Sequence, residues 1–262
     1  MKTLIMLFFC VSVNLFAQEK ISAEQAEKIY RLGGLEQCEK NIASSIEKVI
    51  KKQKGEIAEE DYQLLEKAGQ IAFQTDSVHN TFIASLQEII KVNEYQVIEK
   101  WYSSPLAVKM NELEKNAEEA DFLSDDEISG KRKKIINRLI AKMQPAETLI
   151  DMIFPPTIAI MKATRPSDVV TSDEDMQKVM KPMAKMMRGM MEMAMMGQYA
   201  GIYKEVSDKE LNEYVRFYES KSGIALTQNI KRTCSVTMEN RLNALLELLN
   251  KLKENSHDVK KL

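Results

Sequence analysis

Trp101-Tyr102-Ser103-Ser104-Pro105-Leu106-Ala107 returns 116 positions later as Phe217-Tyr218-Glu219-Ser220-Lys221-Ser222-Gly223. An aromatic residue, a tyrosine, a serine and a small residue recur in one register. Around them, Tyr95, Ile98 and Val108 correspond to Leu211, Tyr214 and Ile224. Serine is a favoured helix N-cap, and proline suits the first helical position because the N–H it lacks would go unpaired there. One helix therefore ends near Ser103 and the next begins at Pro105. Small Ala107 or Gly223 lets the new helix approach the old one, while Trp101 or Phe217 covers the joint. The motif reads as a corner between antiparallel helices, used twice. A Tyr/Ser pair that binds something is the competing reading, but Tyr-x-Ser lacks the neighbouring base that a catalytic serine needs.

Further upstream, Ile29-x-Arg31-Leu32 with Gln37 matches Ile136-x-Arg138-Leu139 with Gln144, now 107 positions apart. The second copy therefore carries extra residues between its landmarks. Nine glycines and six prolines in 262 residues, with few β-branched runs, favour helix throughout. Ser22-x-x-Gln25, Ser124-x-x-Glu127 and Ser207-x-x-Glu210 each fit the capping box that opens a helix. Apolar residues recur at helical spacing, as in Ile42, Ile46, Val49 and Ile50, or Leu242, Leu245, Leu246 and Leu249. The expected fold is all-α: two tandem related helical-bundle units, residues 18–123 and 124–256, packed together, then a polar tail at 257–262. Breaks are expected at Gly33-Gly34, Pro155-Pro156 and Arg165-Pro166-Ser167. A long helix from about Ser172 to Glu205 should kink or split at Pro182.

Residues 1–17 read as a secretory signal peptide. Lys2 supplies positive charge, Leu4 to Phe16 is a short apolar run, and Ala17 precedes the cleavage point before Gln18. The run is too short to span a bilayer, and bulky Phe9 before Cys10 argues against lipoprotein processing. Export implies the periplasm, or the cell exterior, where Cys38 and Cys234 are a possible disulfide. The formal net charge of −2, with both signs interspersed, offers no attraction for nucleic acid or an anionic membrane. The run Lys131-Arg132-Lys133-Lys134 is expected to be solvated near a helix start.

The pattern Glu210-Leu211-x-x-Tyr214-Val215-x-Phe217-Tyr218-Glu219-Ser220-x-x-Gly223 resembles the signature of exported bacterial proteins grouped as domain of unknown function 2059 (DUF2059). In that family an acidic-Leu start leads to Phe-Tyr-x-Ser-Pro-x-Gly and a closing helix. The second copy here has Lys221 for the proline. The first keeps Tyr102, Ser104 and Pro105 but has Trp101 for Phe and Ala107 for Gly. The resemblance implies an exported all-helical domain and supplies no activity.

Ten of the 17 methionines fall within 21 residues: Met176, Met180, Met183, Met186, Met187, Met190, Met191, Met193, Met195 and Met196. Met176, Met180, Met183, Met187 and Met190 make one helical stripe, and Arg188 and Glu192 rule against a membrane span. A buried helix is expected, because methionine fills irregular core gaps. One alternative is an adaptable groove for an apolar partner or client. Another is Cu(I) or Ag(I) held by the thioethers of Met183, Met186, Met187 and Met190. Only two histidines, His79 and His257, are present. No zinc, phosphate-loop or nucleophile-elbow motif appears, so neither an enzyme nor a cofactor is expected. The chain reads as an exported helical binding or interaction module of the bacterial envelope, with the soft-metal protein as the alternative.

Overall fold

The computed structural model describes residues 20–117, 120–164 and 173–259. The expected signal peptide, the Arg165-Pro166-Ser167 break and Ser172 lie outside them, as do the side chains of Met176 and His257. The described chain is all-α, with eleven helices and no strand. Helix α1 (Ala23–Leu32) opens on the Ser22 capping box, in which the Gln25 N–H donates to Ser22 Oγ and the Ser22 N–H to Gln25 Oε1. Gly34, at φ 66°, makes the left-handed turn into α2 (Leu35–Lys51). After α3 (Glu59–Ala72) and α4 (Thr75–Ile89), helices α5 (Val92–Tyr102) and α6 (Pro105–Lys115) meet at the first copy of the repeated motif.

The second half departs from expectation at one start and one break. The Ser124 box caps only a 3-10 turn, Asp125–Glu127. Ile128 then leaves the helix in an extended conformation and buries its side chain, so α7 (Gly130–Met143) starts from Ser129 instead. Helix α8 (Pro145–Thr164) runs unbroken through Pro155 and Pro156; α9 (Asp173–Ile202) keeps Pro182 inside it and does not split there. An interior proline costs about 3 kcal/mol in an isolated helix. In α8 the buried Ile150, Met152 and Ile160, at about 1.5–3 kcal/mol each, are large enough to offset it. Helices α10 (Asp208–Glu219) and α11 (Lys221–Val259) meet at the second motif copy, and α11 continues past His257, where a polar tail was expected.

Two apolar cores form, and they do not divide at residue 123. The first is built by α1 to α5 around Leu226, Cys234, Met238, Leu242, Leu245 and Leu249 of α11, with Met152 and Ile160 of α8. The second joins Met110 of α6 to α7, α10 and the end of α9. Each half of the sequence thus lends helix to the other's core. Length explains the exchange. The 39 residues of α11 span roughly 58 Å at 1.5 Å per residue, whereas α10 spans roughly 18 Å. The apolar stripe of α11 runs beyond α10 and is covered by α3, α4 and α8.

The Lys131-Arg132-Lys133-Lys134 run is not uniformly solvated. Arg132 turns inward, donates to the carbonyls of Tyr203 and Val206, and pairs with Asp208 at 3.0 Å. It closes the C-terminal end of α9, where unpaired carbonyls carry partial negative charge. Arg132→Ala should cost about 2–3 kcal/mol, read as a lower urea midpoint, because buried carbonyls lose a charged donor. Exposed Lys134→Ala should stay within about 0.5 kcal/mol of wild type.

Candidate functional site

The two motif copies touch each other. Trp101 stacks on Phe217 with ring centroids 3.7 Å apart and planes 5° from parallel, and both residues pack against both cores. Tyr102 and Tyr218 are buried beside them. Ser104 Oγ accepts from the Ala107 N–H at 3.3 Å, and Ser220 Oγ accepts from the Gly223 N–H at 3.1 Å. Both serines are therefore occupied as helix caps. A Cβ at Gly223 would sit 2.0 Å from the Phe217 carbonyl oxygen, so only glycine allows this tight exit from α10. Ala107 carries its Cβ, fully buried, at the first corner. The hydroxyls of Ser104 and Ser220 are used in building the corners.

Beside this joint, Glu114 of α6 brings its carboxyl among tyrosines. Tyr203 and Tyr214 both donate to Glu114 Oε1, the latter at 2.8 Å, and Tyr218 Oη lies 3.4 Å from Tyr214 Oη. Cavities of about 290 and 100 Å³ flank the carboxyl, and Gly33, Asn111 and Glu114 line both. Burial raises Glu114 above the usual carboxylate range, against the two tyrosine hydrogen bonds that lower it. Burial likewise pushes Tyr203, Tyr214 and Tyr218 well up. Tyrosines that keep their protons donate to this carboxyl and tie α6 to α10 and to the turn after α9. Sequence reading missed Glu114, Tyr203 and Tyr199, whose ring lies 5.9 Å from that of Tyr203. The available signal was Tyr199/Tyr203 and Tyr214/Tyr218, two pairs one helical turn apart. Nothing marks Glu114 among 39 acidic residues.

His79 of α4 bonds Glu27 of α1 at 3.1 Å and lies 3.5 Å from Glu39 of α2. Tyr30 meets its ring edge-on at 4.7 Å and donates to Glu39. This group ties three helices together.

The methionine segment is not the expected buried helix. Met183, Met186, Met190 and Met193 are 46, 62, 59 and 71 % exposed, while Met195 and Met196 pack on the second core. Met180, Met187 and Met191 are half-buried. Positions 183, 186, 190, 193, 197 and 201 form one stripe along α9. At its C-terminal end the stripe is Gly197 and Gly201, and there the chain's own Asp121-Phe122-Leu123 lies on the helix. The Leu123 N–H donates to the Gly197 carbonyl at 3.2 Å. A Cβ would sit 2.5 Å from the Phe122 ring at Gly197 and 1.6 Å from the Asp121 carbonyl oxygen at Gly201. Between Phe122 and Met193 runs a groove of about 410 Å³, rimmed by Asp125, Lys133 and Glu192. Helices α7 and α8 pack against α9, but at the four methionines nothing among the described residues covers the stripe.

No protein-family model, curated protein or solved structure matches this chain. Chemistry alone must identify the site.

Of the four thioethers considered for Cu(I) or Ag(I), Met183, Met186 and Met190 are exposed and Met187 is half-buried, all on one helix. Soft donors converge elsewhere. Cys38 Sγ lies 3.1 Å from Cys234 Sγ and 3.7 Å from Met152 Sδ. The structure thus brings the two cysteines of the possible disulfide into contact and leaves both as free thiols.

Proposed function

We propose that the protein is an exported helical binding module whose α9 methionine face receives an apolar, non-helical segment of a partner protein. The observation that carries this reading is the uncovered stripe of Met183, Met186, Met190 and Met193. A contiguous apolar run on a charged surface is the usual mark of an interaction site. Unbranched, polarizable methionine can repack around partners of different shape. The seating of Asp121-Phe122-Leu123 on Gly197 and Gly201 supports a passing chain as the occupant, since the same stripe continues into the methionines. No described helix is long and apolar enough to cross a membrane. The resemblance to DUF2059 fits this reading and rests on the corner motif alone.

The test is a fluorescence-anisotropy titration of the mature protein with a labelled peptide of alternating apolar and polar residues. Micromolar binding, about −8 kcal/mol, is expected. Replacing Met183, Met186, Met190 and Met193 together by Gln should weaken it at least about tenfold, since the lost contacts lie at the centre of the patch. Helicity and the urea midpoint should not change, because these side chains are exposed. Equal binding by the variant would refute the reading. For export, intact mass should give a periplasmic protein starting at Gln18; a cytosolic protein retaining residues 1–17 would count against it.

A further inference from the structure

Inside the first core, α8 and α11 each bring one sulfur to within 4 Å of Cys38 Sγ on α2. Cys38 Sγ is 3.1 Å from Cys234 Sγ and 3.7 Å from Met152 Sδ. Met152 and Cys234 are buried and Cys38 is half-buried. We propose that Cys38, Cys234 and Met152 form a three-coordinate site for a soft monovalent cation, Cu(I) or Ag(I).

The donor set selects the ion. Thiolate and thioether sulfurs favour Cu(I) and its like over hard divalent cations. Zinc would want four donors in a tetrahedron, and no third imidazole, carboxylate or thiol joins the two cysteines among the described residues. With metal–sulfur bonds of about 2.3 Å, three sulfurs around one cation stand roughly 4 Å apart. The Cys38–Met152 separation is already near that value, and the two thiols need to open by less than about 1 Å, which side-chain rotation supplies. A disulfide would instead require the thiols to close by about 1 Å. Distance between the thiols therefore does not choose between the two outcomes. Met152 does, because a disulfide makes no use of a third sulfur at contact distance.

A cation entering the site takes a lone pair from each sulfur. Each thiol gives its proton to solvent, the thioether has none to lose, and no electrons change hands.

The experiment is an anaerobic competition of the reduced, full-length mature protein against bathocuproine disulfonate for Cu(I). Wild type should withdraw one equivalent into sulfur-only coordination, as seen by X-ray absorption. Cys38→Ser should abolish this. Met152→Leu conserves volume and should keep the fold, yet weaken binding at least about tenfold because a soft donor is lost. Should Cys38→Ser fail to fold, alkylation of the partly exposed Cys38 in the native protein serves the same purpose and should also abolish binding. Replacing Met183, Met186, Met187 and Met190 by Leu should change nothing. Failure of the wild type to compete while both thiols titrate, or unchanged affinity in Met152→Leu, would overturn the site. So would a native protein whose thiols are already bridged on isolation and which takes up no Cu(I) after reduction. The peptide titration on α9 is independent of each outcome.

Discussion

Glu114→Leu is expected to destabilise the protein by about 2–6 kcal/mol, because it strands two buried tyrosine hydroxyls at about 1–3 kcal/mol each. Tyr203 and Tyr214 both donate to this one carboxyl oxygen, so a single substitution unpairs α6 from both the turn after α9 and α10. Glu114→Gln keeps an acceptor oxygen and should cost less. The two variants also separate hydrogen bonding from charge. Burial raises the folded-state pKa of Glu114 above its ordinary 4.5. Between the unfolded and folded values the folded protein holds the proton and the unfolded chain does not. The contribution is therefore fully present below about pH 4.5 and is lost as pH rises through the folded value, with a slope of at most about 1.4 kcal/mol per pH unit. Carboxylates held low by partners, such as Glu27 and Glu99, slope the other way, so the quantity to measure is a difference. Urea midpoints of wild type minus Glu114→Gln, taken across acid to neutral pH, should fall with rising pH. A flat difference would place the carboxyl in contact with water.

Gly201→Val is expected to be of similar size, about 3 kcal/mol or more, from overpacking at a backbone contact. A Cβ there would lie 1.6 Å from the Asp121 carbonyl oxygen. That oxygen belongs to the main chain and cannot rotate aside like a side-chain tip. Glycine's poor helix propensity would return at most about 1 kcal/mol on substitution, so the clash wins. Lifting Asp121-Phe122-Leu123 off α9 should also expose the amide of Leu123, now bonded to Gly197, to faster hydrogen exchange. Gly189→Val, at a position with open space around it, should show neither effect.

Much of the fold was legible because its signals are local. Ser22 and Ser207 cap the helices that their boxes announce, and Ser104 and Ser220 hold their corners as the motif implies. What was not legible depends on where helices end up. Pro155 and Pro156 read as a break, yet burial along α8 carries the helix through them. The methionine stripe of α9 has the period of a core helix. Period alone records which residues share a face and not whether another helix lies opposite. Arg132 sits in a basic run and shows no sign in sequence that two carbonyls some 70 positions later await it. The meeting of Cys38, Met152 and Cys234 is likewise a product of three-helix packing; compartment and an even cysteine count make the two cysteines only a possible disulfide and say nothing of Met152.

The central claim is that the α9 methionine face binds an apolar segment, and methyl NMR of the protein carrying ¹³C-methyl methionine tests it most directly. On titration with the apolar peptide, the methyl signals of Met183, Met186, Met190 and Met193 should shift together along one saturation curve. Those of buried Met110, Met152 and Met238 should stay in place. Four unmoved signals at saturating peptide, or shifts confined to the buried methionines, would contradict it.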